Sequence, residues 1–80
     1  MEVRFFAGAA EAAGTPSRVV EVPAGATVAE LVDSLTAGDD VLSRVMDVSS
    51  LLLDGTRVTD RTNRVGDAAQ LDVLPPFAGG

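Results

Sequence analysis

Thr27-Val28-Ala29-Glu30-Leu31-Val32-Asp33-Ser34-Leu35 is the stretch around which the rest of this chain can be ordered. Val28, Leu31, Val32 and Leu35 fall at i, i+3, i+4 and i+7, which makes one apolar stripe on a helix. Thr27 and Glu30 have the spacing of a capping box. In that motif the threonine hydroxyl accepts from a free helix amide while the glutamate reaches back to the amide of the cap residue. The helix therefore starts at Thr27 or Val28, after Pro23-Ala24-Gly25 ends the preceding segment, and Gly38 is placed to supply a left-handed C-terminal cap.

Upstream, Glu2 to Ala7 reads as a strand with Val3 and Phe5 on one face and Arg4 and Phe6 on the other. The Ala-rich stretch from Ala7 to Ala13, interrupted by Gly8 and stopped by Gly14-Thr15-Pro16, is a loop or a short helical turn. It leads to a second strand at Arg18 to Val22, and the two strands form a hairpin with a long connection. Downstream, Asp40 caps a shorter helix in which Val41, Leu42, Val45 and Met46 share a face; the alternative is an apolar loop over the core. Leu51-Leu52-Leu53, then Asp54-Gly55, then Thr56-Arg57-Val58 is a hairpin signal, because a type I′ turn needs positive φ at both central residues. Thr59 to Asp67 is polar and reads as a surface connection. Gln70 to Leu74 is the last strand, with Leu71 and Val73 inward and Gln70, Asp72 and Leu74 outward, and Pro75-Pro76 ends its pairing.

This order is an α+β pattern, a mixed sheet with one main helix packed on one face. It matches the ubiquitin-like β-grasp, where the first and last strands lie side by side and parallel, so Phe6 and Leu74 are expected to be neighbours. Residues 1–74 form the domain and residues 75–80 a flexible C-terminal tail, Pro75-Pro76-Phe77-Ala78-Gly79-Gly80. Gly79 and Gly80 carry no Cβ, so the terminal carboxylate is unshielded and the end is suited to threading a narrow cleft. Phe6 and Leu74 together read as a docking patch at the tail exit. A plainer reading makes Phe6 a strand end covered by the Ala-rich loop and Leu74 an isolated exposed apolar residue.

Composition narrows the function. Eighty residues suffice for one small domain that buries about 60% of its unfolded surface. Six basic residues, all Arg, against twelve acids give a net charge of −6, which phosphate backbones would repel, so nucleic-acid binding is not expected. With no Cys and no His, the usual zinc ligands and nucleophile–base pairs are missing, and no metal site and no catalysis by the chain's own side chains are expected. Arg4 and Glu11 interrupt the apolar N-terminal stretch, so neither a signal peptide nor a membrane span fits and a cytoplasmic location is expected.

The tail Asp72-Val73-Leu74-Pro75-Pro76-Phe77-Ala78-Gly79-Gly80, the opening Val3-Arg4-Phe5-Phe6-Ala7 and the helix start Gly25-Ala26-Thr27-Val28-Ala29-Glu30-Leu31 resemble the MoaD branch of the MoaD/ThiS sulfur carriers, the small subunits of molybdopterin synthase. The hydrophobic residue after two prolines and before Gly-Gly is the most specific part. In one respect the chain departs from the family: the Gly-Asp pair that usually leads into the last strand is replaced by Ala68-Ala69, with Gly66-Asp67 two residues earlier. The resemblance implies that Gly80 is adenylated by an E1-like enzyme using ATP and converted to a thiocarboxylate with sulfur from a donor protein. It further implies delivery of that sulfur to cyclic pyranopterin monophosphate in the active site of the synthase large subunit during molybdenum cofactor biosynthesis. On this reading Gly80 carries the chemistry, while Leu74, Pro75, Pro76, Phe77, Ala78, Gly79 and Phe6 meet the partners. The protein binds no cofactor and is not an enzyme alone. The alternatives are a sulfur carrier for thiamine or cysteine biosynthesis, a non-covalent ubiquitin-like interaction module, and a protein-conjugating modifier.

Overall fold

The computed structural model describes residues 1–76; Phe77 to Gly80 lie outside the described residues. Five strands form one sheet: β1 (Glu2–Phe5), β2 (Ser17–Val19), β3 (Ser50–Leu53), β4 (Thr56–Arg57) and β5 (Gln70–Leu74), in the order β2-β1-β5-β3-β4. Two antiparallel hairpins, β1 with β2 and β3 with β4, flank β5, which pairs parallel with β1 and antiparallel with β3. The alternation in the strand sequences decides which face meets the helices. Val3, Phe5, Leu51, Leu71 and Val73 are buried on one side. The helices α1 (Gly8–Ala13), α2 (Val28–Leu35) and α3 (Asp40–Val48) contribute Ala9, the whole expected stripe of α2, and Leu42 with Met46 to the same core. This is the expected α+β mixed sheet, with α1 and α3 joining α2 in the helical layer.

The start of α2 accounts for its free amides in full. The Thr27 hydroxyl accepts from the Glu30 amide at 3.1 Å, and the Glu30 carboxylate accepts from the Thr27 amide at 2.8 Å, so the capping box is closed. The two remaining first-turn donors go to the connection after β4. The Val28 amide donates to the Asn63 carbonyl at 2.9 Å and the Ala29 amide to the Arg61 carbonyl at 2.8 Å. The Arg61 side chain then crosses to the other helix, where its Nη2 donates to the carbonyls of Met46 and Ser49 at the end of α3. One segment thus satisfies a donor-rich and an acceptor-rich helix terminus together.

Several boundaries differ from the sequence expectation, each for a local reason. β1 stops at Phe5, because Ala7 takes a positive φ of 49° and turns the chain into α1, so the helical alternative holds for the Ala-rich stretch. β2 spans Ser17–Val19 rather than Arg18 to Val22. Val19 pairs with Glu2 and Val20 exchanges hydrogen bonds with Met1, so Glu21 and Val22 have run past the start of β1. Gly38 is left-handed at φ 74°, but α2 ends at Leu35 with Thr36 as its cap, so Gly38 serves the turn into α3. Asp39, not Asp40, caps α3, accepting from the Leu42 amide at 3.0 Å. In α3 the buried pair is Leu42 and Met46, while Val41 lies 60% exposed, outside the face proposed for it. The Thr59 to Asp67 connection is not wholly surface, since Val65 is buried and its amide donates to the Ala26 carbonyl.

The turn at Asp54-Gly55 has φ of 48° and 82°, as the hairpin signal required. Asp54 does more than turn the chain. Its carboxylate accepts from the amides of Ala69 and Gln70 at 3.0 Å, and its own amide donates to the Gln70 carbonyl, which ties the hairpin tip to the first residue of β5. The positive φ before β5 falls on Gly66, at 60°. Ala68 and Ala69 therefore sit where no left-handed residue is needed.

These packing relations set the expected stabilities. Thr27→Ala should lower the unfolding free energy by about 1 kcal/mol, and Leu71→Ala by roughly 2–5 kcal/mol, both read from urea midpoints at constant m-value. The Glu30 carboxyl is held below its ordinary value of 4.5, first by the hydrogen bond from the Thr27 amide. Its contribution is complete above that ordinary value and is lost as pH falls through the lower folded value. Glu30→Gln, which keeps an acceptor for the Thr27 amide, should flatten the acid limb of the stability curve measured below about pH 4.5.

Candidate functional site

The exit of β5 is fixed by its two neighbours. Phe5 stands opposite Val73 in the parallel pairing, and the Phe6 amide donates to the Val73 carbonyl at 3.1 Å, which carries the ladder one step further and sets the Phe6 backbone beside Leu74. On the other side Ser50, the first residue of β3, pairs with Leu74. Beyond Leu74 the strand ends: Pro75 is half-buried, Pro76 is exposed, and neither has an amide to continue a ladder. The chain therefore leaves the sheet from an interior strand, between two paired neighbours, at the end where Phe6 is exposed.

The face of the sheet away from the helices carries this exit. Phe6 is 39% exposed and Leu74 half-buried. One row behind them, Arg4 and Asp72 stand opposite each other on β1 and β5. The Arg4 Nε donates to Asp72 Oδ1 at 2.9 Å and its Nη2 donates to Oδ2 at 3.2 Å, a two-pronged pairing of fork and carboxylate. The Gln70 side-chain amide donates to the same carboxylate. The guanidinium also lies 5.6 Å from the centroid of the Phe6 ring. The bond to Asp72 raises the Arg4 pKa above its ordinary value. Leu52 on β3 continues this row, half-buried beside Asp72.

Of the expected site residues, Phe6, Leu74, Pro75 and Pro76 come together at this exit. Phe77, Ala78, Gly79 and Gly80 lie outside the described residues. The sequence places Arg4 and Asp72 on the outward face but does not by itself show that they pair. The signal was the register: once β1 and β5 are parallel with Phe6 beside Leu74, Arg4 must face Asp72. A separate groove of about 420 Å³ lies between the chain following β2 and α2, with Val20, Val22, Leu31 and Leu35 in its walls. Val20 pairs with Met1, so this groove is at the opposite end of the sheet from the tail exit. Among the described residues no helix is long and apolar enough to cross a membrane.

A family profile described as the ThiS family matches residues 3–80. The chain belongs to the ThiS family. Among curated relatives, the molybdopterin synthase sulfur carrier subunits of Drosophila melanogaster and Drosophila sechellia are each 32% identical over 82 residues, covering 100% of this chain and 90% of theirs. Among solved structures, SAMP1 from Haloferax volcanii superposes with a TM-score of 0.81 at 30% identity, covering 99% of this ThiS-family chain and 97% of its own. Subunit 1 or 2 of a molybdopterin-converting factor complex from Helicobacter pylori superposes with a TM-score of 0.68 at 20% identity over 99% and 96% of the two chains, a likeness of fold. Together these matches establish the MoaD/ThiS family and its ubiquitin-like β-grasp.

The geometry separates face from core. Phe6→Ala should change the unfolding free energy by no more than about 1 kcal/mol, since it removes an exposed ring and its contact with Arg4. A loss on the scale of Leu71→Ala in the same denaturation series would place Phe6 in the core.

Proposed function

We propose that this ThiS-family protein is a sulfur carrier and the small subunit of a molybdopterin synthase. The observation that carries the reading is the direction of β5, which leaves the sheet beside exposed Phe6 and runs through Pro75 and Pro76 toward a sequence ending Phe77-Ala78-Gly79-Gly80. The whole-length similarity to sulfur carrier subunits supports it. A carboxylate is a poor electrophile, so the chemistry begins at Gly80 with an activating enzyme. ATP converts the carboxylate to an acyl adenylate with release of pyrophosphate, and hydrosulfide set free by a donor protein then attacks the carbonyl carbon, forming the C–S bond as the C–O bond to AMP breaks, to leave a thiocarboxylate. The sulfur of that group is the nucleophile delivered to cyclic pyranopterin monophosphate, and the catalytic side chains belong to the large subunit.

The body of the protein serves this chemistry by docking and by reach. Six residues from Pro75 to Gly80 span up to about 20 Å when extended, enough to carry the terminus from a docked sheet into an enclosed site. The fixed φ of two prolines reduces the entropy lost when the segment orders. Phe77 fills an apolar pocket as an anchor, and Gly79 and Gly80 pass where a Cβ would clash. The working location is the cytoplasm, where the activating enzyme has ATP.

A second reading is favoured by the 30% identity to SAMP1, since a related solved structure carries the name small archaeal modifier protein 1. In that case the activated Gly80 acyl group goes to an amine of a target protein instead of to sulfur. The two share the adenylate and divide at the nucleophile.

Intact mass spectrometry after incubation with the activating enzyme, ATP and a sulfur donor should show one oxygen replaced by one sulfur at Gly80. Deletion of Gly79 and Gly80 should abolish both that change and restoration of molybdenum enzymes in a cell lacking the carrier. Restoration by the truncated protein would instead indicate a non-covalent interaction module, and accumulation of amide-linked adducts without thiocarboxylate would favour the modifier. Gly79→Ala should slow loading while leaving the unfolding midpoint unchanged; normal loading would remove the steric role assigned to that residue.

A further inference from the structure

We propose that Arg4, held in place by Asp72, selects the partner: the synthase large subunit must present acceptor oxygens over the Arg4 guanidinium, and a surface without them is rejected. The proposal rests on the sulfur-carrier reading for the identity of the partner, but its content comes from the sheet face.

Three observations carry it. Arg4 in β1 and Phe6 just beyond its end lie on the same side, with the guanidinium 5.6 Å from the Phe6 ring centroid, so a partner that covers Phe6 and Leu74 also covers Arg4. The Asp72 side chain is only 10% exposed and accepts from both Arg4 and Gln70, so the pair is fixed before any partner arrives. The Arg4 side chain is 44% exposed. Of the five N–H groups a guanidinium carries, two go to Asp72, and the other three have no partner among the described residues.

In the free protein water satisfies those three donors. Docking removes the water, and an apolar surface would leave polar hydrogens buried without acceptors, while a Lys or Arg opposite would add like-charge repulsion. Main-chain carbonyl or carboxylate oxygens restore the bonds, and because Asp72 already orients the fork, little further side-chain ordering is lost. The neutral pair thus does for specificity what Phe6 and Leu74, which accept any apolar surface of the right shape, do not.

The test uses the full-length carrier and the large subunit from the same organism, with affinity measured by titration calorimetry and unfolding midpoints measured alongside. The double variant Arg4→Leu with Asp72→Ala removes both charges and leaves no unpaired charge, only the half-buried Gln70 amide without its acceptor. It should remain folded and bind about 10-fold or more weakly, the scale of lost hydrogen bonds to a charged group. Arg4→Lys, which keeps the ion pair but not the fork, should also weaken binding at an unchanged midpoint and provides the reading if the double variant does not fold. Affinity within twofold of wild type for the folded variants, or tighter, overturns the proposal. Failure of the wild-type protein to bind the large subunit would instead overturn the functional reading on which it stands.

Discussion

The parallel pairing of β1 with β5 is the constraint on which the rest depends. It joins the first and last strands of the chain, closes the sheet between two otherwise separate hairpins, and points both strands toward the same edge. Because β5 is interior, its C-terminal end emerges flanked by Phe6 on one side and Ser50 on the other, not from a free edge. The residues that follow Leu74 therefore start with paired backbone on both sides. Had β5 been an edge strand, the same residues would leave from a margin with a neighbour on one side only. Parallel pairing also demands a crossover long enough to return the chain to the same end, and the helices and the β3–β4 hairpin supply that return.

The crossover is held by a segment with no regular structure. The connection after β4 gives two carbonyls to the amides of Val28 and Ala29, sends the Arg61 side chain to the end of α3, and buries Val65. Helix ends are where backbone groups are unpaired, and this single segment covers an N-terminus and a C-terminus at once. Its polar sequence conceals that role. Polar residues on the outer side were visible, whereas the carbonyls that do the binding have no signature in the side chains.

Periodic signals were therefore the legible part of the fold. The α2 stripe, the capping box, the Asp-Gly turn and the inward pair Leu71 and Val73 rest on spacing within a few residues, and all four appear in the structure. Boundaries set by a distant partner were not legible. β2 ends at Val19, opposite Glu2 at the start of β1, and Val41 is exposed because α3 is rotated to pack Leu42 and Met46. The site divides in the same way. Phe6 beside Leu74 followed from topology, but Arg4 beside Asp72 needed the register as well as the alternation, and Asp54 bridging to Ala69 and Gln70 needed the three-dimensional proximity of a turn and a strand start.

The Asp54 bridge holds the entry to β5, where Ala68-Ala69 supply neither a positive φ nor a carboxylate. A glycine there would serve a left-handed turn and an aspartate would accept nearby amides. Here Gly66 takes the positive φ two residues earlier, and the carboxylate comes from Asp54 in the adjacent β3–β4 turn, accepting from the amides of Ala69 and Gln70. Both requirements of the turn are met by other residues, so β5 enters the sheet in the register that sets Phe5 opposite Val73. The orientation of the exit depends on that register, because a slip of one residue would turn Leu74 inward and bring Leu71 and Val73 to the open face. The start of β5 is thus held by the β3–β4 turn beside it, and the pairing of β3 with β5 carries that register to Leu74.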